Sequence, residues 1–597
     1  MKKMHVMFIA YLAATLVGCA PQDDFKKPGT SHKPAIPVNP NPPAIVTNLV
    51  NTIDGKELNA FGVNFQTPIS WEANRLNKAG ISKSAEELNK VTDNNIDDVV
   101  LMGAKQLRCH LTPADFTDAQ GNLVENMYLD ALDYMVYKAK EKGLLVSFAF
   151  LNHMGQKGPG ADWAGKGAET WIHDPEVVSC MSNYISGLLL HKNKYSGEMY
   201  KDMTHLSYWE LINEPDMYSY SEIKNTEYND LYQTWLNEKG KNDTSKSYGE
   251  YRTELVKSYI DQMYDLIRSK GDRHPICWGL NWHRYRKDNA DIFKGVAASK
   301  AEIVAFCNYP GQDYVSQDYY NKTYNFTDRS FSEWFNKYYI NKDGYGWAIS
   351  DDFIGKAKIV YEFETFFNQS AYIYPIQALY FRALGAQAAN MWTYTFNEIA
   401  PYFGGSHFLN LRYTPSKAAS FIVADKIFSS TATGIQFTVA DEMQGENWCI
   451  SKSRDAAVYS DSEWYCHSGA TDSGWSKLTP SEGVKHIRGI GNSPLAKYSG
   501  NGIYFIDETD KGLEILLMPN IEIKGDRFAS TEYKTEVTKL IYDKVNTLSI
   551  YLKNWKESEC SLYDISGEKQ VLLNDNIKGS STMSLKPGKY LLVKNIK

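Results

Sequence analysis

The chain has 597 residues, more than one ordinary domain holds and enough to bury at least one large core. It is 43% hydrophobic and 23% charged, a globular composition made unusually aromatic by 41 Tyr, 25 Phe and 14 Trp. A formal net charge of −7 leaves no basic footprint for nucleic acid and no field to hold a polyanion.

Residues 1–19 read as a leader. Lys2 and Lys3 give it a charged start, and the apolar stretch 6–17 is too short to span a bilayer as a mature helix. It ends in Leu16-Val17-Gly18-Cys19, which resembles the lipobox of bacterial lipoproteins. That resemblance implies cleavage before Cys19 and lipidation of its thiol; an ordinary signal peptide with an incidental cysteine is the other reading. Gln22-Asp23-Asp24 resembles the acidic tract that sends some Gram-negative lipoproteins to the outer surface. The expected location is therefore the outer membrane, at the cell surface or its periplasmic face, with this anchor as the sole membrane contact. Residues 20–45, with Pro34, Pro37, Pro40, Pro42 and Pro43, have the composition of an extended tether.

A domain is expected over 46–415, where apolar strand-like runs alternate with helical patterns. Strands are predicted at 60–65, 105–111, 144–151, 207–213, 276–282, 303–309, 358–363 and 389–395. Between them, Val256, Ile260, Met263 and Ile267 recur on one face of a helix predicted over 248–269. Segments 128–142, 175–190 and 375–385 behave similarly, the last two with proline in the first turn. Eight such units predict a TIM (β/α)8 barrel. A doubly wound open sheet would carry a Gly-rich phosphate turn after its first strand, and none is present.

Two predicted strands end in acids. Leu206 to Ile212 is an apolar, aromatic run leading into Asn213-Glu214-Pro215, and the proline, lacking an N–H, stops the strand. Lys358-Ile359-Val360-Tyr361-Glu362 has the same construction. An acid at the end of a buried strand is costly unless something uses it, and in such a barrel the strand ends build the site. Two carboxylates there suit glycosidic bond cleavage, one as acid/base and one as nucleophile.

This arrangement resembles glycoside hydrolase clan A, the retaining (β/α)8-barrel β-glycosidases and endo-β-glycanases, over about residues 58–415. The resemblance implies Glu214 as acid/base, Glu362 as nucleophile and Asn213 as the residue holding the sugar 2-hydroxyl. It further implies Arg108 beneath the nucleophile, Tyr309 hydrogen-bonded to it, and Trp392 as the aromatic floor under the cleaved sugar. Asn152 and His153 after the third strand, and Trp282 after the fifth, are expected subsite residues. Two acids compete for these roles: Glu364 shares a predicted strand face with Glu362, and Glu210 with Glu214. His110 reads as structural. No metal or organic cofactor is implied. The expected partner is a carbohydrate, a polysaccharide or oligosaccharide, and not nucleic acid. A catalytically silent glycan-binding lipoprotein on a degenerate barrel is the alternative. Aromatics in the long segments 154–175 and 310–350, among them Trp163, Trp171, Tyr314, Tyr319 and Trp334, suit sugar stacking.

Residues 416–597 are expected to form an all-β, sandwich-like accessory domain after one helix at 416–427, because short alternating runs such as 502–506, 512–517, 545–552 and 588–593 are punctuated by Gly, Asn and Asp. Packing against the barrel is its plain role; the cluster Trp464, Tyr465 and Trp475 also suits sugar binding. Apart from Cys19 there are seven cysteines, with no CxxC spacing, and Cys449 with Cys466 is a candidate pair.

Overall fold

The computed structural model describes residues 48–66, 70–152, 160–280, 289–310, 335–336, 338–339, 344–364, 370–402, 407–472, 474, 476, 478–525, 532–555, 559–578 and 582–595, without the side chains of 70–71 and 574–578. The leader, Cys19 and the tether lie outside these residues, as do His153, Trp282, Tyr314, Tyr319, Trp334 and Trp475.

Eight parallel strands close into a barrel in chain order: β1 (Ala60–Phe65), β2 (Gln106–His110), β3 (Leu145–Ala149), β4 (Leu206–Glu210), β5 (Ile276–Leu280), β6 (Ile303–Asn308), β7 (Ala357–Phe363) and β8 (Ala386–Tyr394). Almost every residue in them is buried. Both faces of a parallel barrel strand are covered, which is why these strands read as continuous apolar runs. Helices α1 (Ala85–Leu101), α2 (Met127–Glu141), α3 (Pro175–Leu190), α4 (Ser245–Ser269), α5 (Ala290–Ala297), α6 (Ile373–Ala383) and α7 (Pro415–Ser430) run between and after the strands. Pro175 and Pro415 each occupy the first turn, where the missing N–H costs nothing, and Asp174 caps α3 by accepting from the amides of Glu176 and Val177. No helix of the described residues is long and apolar enough to cross a membrane.

The fourth strand is shorter than predicted. Regular pairing stops at Glu210, although Leu211 and Asn213 still donate to the carbonyls of Cys277 and Leu151. Glu214 therefore stands on the loop, with φ at +44°, a backbone region costly for a residue with a side chain.

The helix predicted at 416–427 is α7. It packs on α6 and β1, and its other side lies under the C-terminal sheet. That sheet has ten strands in the order β21-β20-β23-β16-β15-β13-β12-β11-β10-β9. Its members are β9 (Glu442–Gln444), β10 (Trp448–Ser451), β11 (Ala456–Ser460), β12 (Trp464–Ser468), β13 (His486–Gly489), β15 (Tyr504–Thr509), β16 (Gly512–Leu517), β20 (Glu559–Asp564), β21 (Val571–Lys578) and β23 (Gly588–Lys594). One face contributes Ile450, Ala457, Cys466 and Phe505 to the core shared with α7 and β1. The other meets the three-stranded sheet of β14 (Ala496–Tyr498), β19 (Asn546–Ile550) and β22 (Met583–Leu585) through Val458, Ile487, Leu548 and Leu585. A small antiparallel pair is formed by β17 (Asn520–Ile523) and β18 (Thr538–Ile541).

Two expectations fail here, for reasons of register and packing. Cys449 and Cys466 are both free. They flank β11 opposite Val458 and Tyr459, adjacent residues whose side chains leave opposite faces of the sheet, so each thiol enters a different core. Nor do Trp464 and Tyr465 form a sugar platform. Tyr465 is buried, while Trp464 stacks on His486 at 4.3 Å and carries the Lys426 ammonium 3.3 Å from its ring centre. The Trp464 ring is thus engaged by neighbours within the protein.

Candidate active site

Arg108 organises the mouth of the barrel. It stands on β2, fully buried, and its guanidinium makes a fork to Glu210 (Nε to Oε2 2.8 Å, Nη2 to Oε1 2.9 Å). Nη2 also donates to Asn213 Oδ1 at 2.8 Å. Nη1 donates to Asn64 Oδ1 at 2.8 Å and to Glu362 Oε1 at 3.0 Å. Every donor is directed, a task that a planar guanidinium performs and an ammonium cannot. Gly279 on β5 belongs to this arrangement, because a Cβ there would stand 2.7 Å from Glu210 Oε1.

Glu362 is buried at the end of β7 and held on both oxygens. Besides Arg108, His110 Nε2 lies 3.0 Å from Oε1, and the Tyr309 hydroxyl donates to Oε2 at 2.6 Å. Burial alone would push this carboxyl up. The His110 hydrogen bond, the charge of Arg108 and the Tyr309 hydroxyl more than offset it, and the group sits well below the ordinary carboxylate range. It is therefore an anion at neutral pH. Burial and the nearby carboxylates push Tyr309 and Tyr361 the other way, so both remain proton donors.

A bulge in β7 aims Glu362. Val360 faces Ala389 on β8 and Phe363 faces Met391, so three steps on β7 match two on its neighbour; the β6 register slips at the same place. The extra residue lets two consecutive side chains, Tyr361 and Glu362, turn to the barrel axis while Val360 and Phe363 pack outward. Tyr361 lies under the Arg108 guanidinium, 5.0 Å from ring centre to Cζ, and its hydroxyl donates to Glu214 Oε1 at 3.3 Å. Glu214 is half-buried and Asn213 buried.

The rival acids are both committed to buried ion pairs. Glu364 is fully buried, accepting from the Tyr374 hydroxyl at 2.7 Å and pairing with Lys417 at 2.5 Å, between the barrel end and helices α6 and α7. Glu210 is the two-oxygen partner of Arg108.

Arg108, Asn152, Asn213, Glu214, Tyr309, Glu362 and Trp392 thus meet at one end of the barrel. Trp392 is partly exposed there and stacks on His110, 4.8 Å between ring centres. The sequence reading missed Asn64, Tyr361 and the engagement of His110. The last was within reach, since His110 follows Arg108 by two and so shares its strand face. Trp163 and Trp171, expected to stack on sugars, are buried with their indole N–H groups donating to backbone carbonyls.

No protein-family model matches the chain. It is 30% identical over 118 residues to mannan endo-1,4-beta-mannosidase 2 of Arabidopsis thaliana, covering 18% of this chain and 26% of that protein. It is 23% identical over 160 residues to mannan endo-1,4-beta-mannosidase 5 of the same plant, covering 25% and 30%. The chain thus matches less than a third of the length of either relative. Among solved structures, an endo-beta-1,4-mannanase from Thermotoga petrophila aligns over 89% of this chain and 99% of its own, at 15% identity and TM-score 0.44. An endo-1,4-beta-mannanase from Rhizomucor miehei aligns over 64% and 97%, at 16% identity and TM-score 0.42.

Proposed function

We propose that the protein is a glycoside hydrolase that cleaves β-linked polysaccharide with retention of anomeric configuration. The observation that carries this is the pair of carboxyls at one barrel mouth in unequal settings. Glu362 is buried, ionised and gripped by three donors, whereas Glu214 is half-exposed on a loop at positive φ, with the Tyr361 hydroxyl among its partners. Unequal settings are what assign two acids to two roles.

Glu362 attacks the anomeric carbon and the bond to the leaving oxygen breaks, that oxygen taking the proton of Glu214. The product is a glycosyl ester on Glu362. Glu214, now a carboxylate, takes a proton from water as the water attacks the same carbon and expels Glu362. Ester formation also removes the negative charge of Glu362, which lowers the proton affinity of Glu214 when it must act as base. The Asn213 amide spends one N–H on Asn152 and has a second to offer the sugar 2-hydroxyl.

The substrate class tried first is β-1,4-mannan, because the local sequence matches are to enzymes of that name. Release of reducing sugar from β-mannan is expected to exceed that from β-glucan and β-galactan. A different preference would reassign the sugar, and silence on all polysaccharides and aryl β-glycosides would remove the hydrolase reading.

The lipid anchor at Cys19 and the outer-membrane location are proposals from the sequence of residues 1–24. Cys19→Ala is expected to move the protein from the membrane fraction to the soluble one; unchanged fractionation would discard the anchor.

A further inference from the structure

We infer that His110 is a positioning residue for Glu362, a neutral imidazole whose Nε2–H is aimed at Oε1 by a one-way hydrogen-bond chain from Arg108 through Asn213 and Asn152. The functional half of this rests on reading Glu362 as the nucleophile; the proton directions do not.

The directions follow from the fact that a guanidinium only donates. Arg108 Nη2 lies 2.8 Å from one end of the Asn213 amide, so that end is the carbonyl oxygen. The Asn213 NH2 group then faces Asn152 at 3.2 Å and needs an acceptor, which fixes the Asn152 oxygen. The Asn152 NH2 group is left 3.2 Å from His110 Nδ1, which must offer a lone pair. A neutral imidazole with its lone pair on Nδ1 carries its hydrogen on Nε2, and that nitrogen lies 3.0 Å from Glu362 Oε1. Reversing the tautomer would flip both amides and set an NH2 group against the Arg108 N–H. Arg108 Nη1 is also 2.8 Å from Nε2, but its two hydrogens go to Asn64 Oδ1 and Glu362 Oε1, so two N–H groups approach each other there. The reverse tautomer would relieve that approach only by turning an Nε2 lone pair against Glu362 Oε1 as well as flipping both amides.

The ring itself is fixed from the side by Trp392, at an interplanar angle of 28°. His110 is buried, 2% exposed, so solvent does not compete for its nitrogens. It therefore ties the rotation of the Glu362 carboxylate to the plane of the aromatic floor. Misplacing a reacting atom by about 1 Å costs on the order of 100-fold in rate, and this tie limits that error. The chain also passes through Asn213, the residue before Glu214, so the two acids share one framework.

Three variants test this: His110→Phe keeps a ring against Trp392 without an N–H, His110→Gln restores an N–H of similar reach, and Asn152→Leu cuts the chain. Long-range 1H–15N spectra read the tautomer, with the His110 signal assigned by its loss in His110→Phe. The expected result is Nε2–H in the wild type and loss of that preference in Asn152→Leu. His110→Phe is expected to lower kcat roughly 10–100-fold, the scale of partners that orient a functional group, with KM within about twofold. Its acid limb should move to higher pH because the carboxylate loses a donor, and His110→Gln should recover most of both. An Nδ1–H or cationic ring would overturn the chain, and an unmoved kcat and acid limb in His110→Phe would overturn the positioning role. Should the wild type hydrolyse no glycan, the functional reading falls, while the spectra still decide the chain.

Discussion

Replacing Glu362 by alanine is expected to lower kcat by roughly 10^4-fold or more, the scale on which a covalent nucleophile contributes, and azide is expected to restore turnover. The side chain removed is the one that attacks, so the variant leaves room for a small anion on the same face of the sugar. Azide there attacks the anomeric carbon once, Glu214 protonates the departing oxygen, and the product is the glycosyl azide of inverted, α configuration. Glu214→Ala gives the contrasting outcome. Loss of a general acid costs about 10²–10⁴-fold, and less for a leaving group that needs no proton. Azide then attacks the ester on Glu362 from the vacated acid/base side and returns the β-azide. Analysis of the product anomers by NMR separates the roles. The same anomer from both variants, or full activity in Glu362→Ala, would sink the assignment. Glu364→Gln is the informative control: its carboxylate holds Tyr374 and Lys417, so it is expected to lower the melting temperature without azide rescue.

That control matters because period-two alternation places Glu362 and Glu364 on one strand face, and alternation fails at this point. The bulge around Tyr361 inserts a residue without any mark in the sequence, since no glycine or proline signals it. Where pairing is regular, reading was direct. The strands near 60–65, 303–309 and 358–363 sit within a residue of their predicted ends, because a strand buried on both faces must be apolar along its length. The strand predicted at 207–213 ran long because Leu211 and Ile212 are as buried as the strand before them, though regular pairing has ended.

The site was legible in its charged members and illegible in its connections. Arg108 and Glu362 stand out as charges in apolar strands, yet they are 254 positions apart and only closure of the barrel brings them to 3.0 Å. His110 looked like a packed core histidine because its meaning lies in Glu362, Asn152 and Trp392, all distant in sequence. Aromatic content misled in the other direction. Trp163, Trp171 and Trp464 are chemically suited to sugars, but their indole faces or N–H groups are satisfied within the protein. Composition reports what a residue could bind; only packing tells whether that surface is left over.

Arg108→Met is expected to be the most damaging change to stability. The substitution leaves Glu210 and Glu362 buried without their shared cation, and breaking a buried ion pair from one side typically costs 3–5 kcal/mol. Arg108→Lys is expected to rescue little, because one ammonium cannot reach Glu210, Glu362, Asn64 and Asn213 together. The pH dependence has a definite sign. The folded pKa of Glu362 is depressed, so its contribution is fully present above the unfolded value, about 4.3, and is lost as pH falls toward the folded one. The stability gap between wild type and Arg108→Met should thus be widest near neutral pH and narrow in acid. Denaturant midpoints at pH 7 and pH 4 measure it, and a gap that does not narrow would mean that Arg108 acts through packing rather than charge. Adding Glu210→Met to Arg108→Met should regain part of the stability by removing one unpaired acid. It should regain no activity, because Glu362 still lacks the cation that keeps it ionised. A double variant that recovered both would reduce Arg108 to a counter-ion for Glu210 and leave the ionisation of Glu362 to His110 and Tyr309.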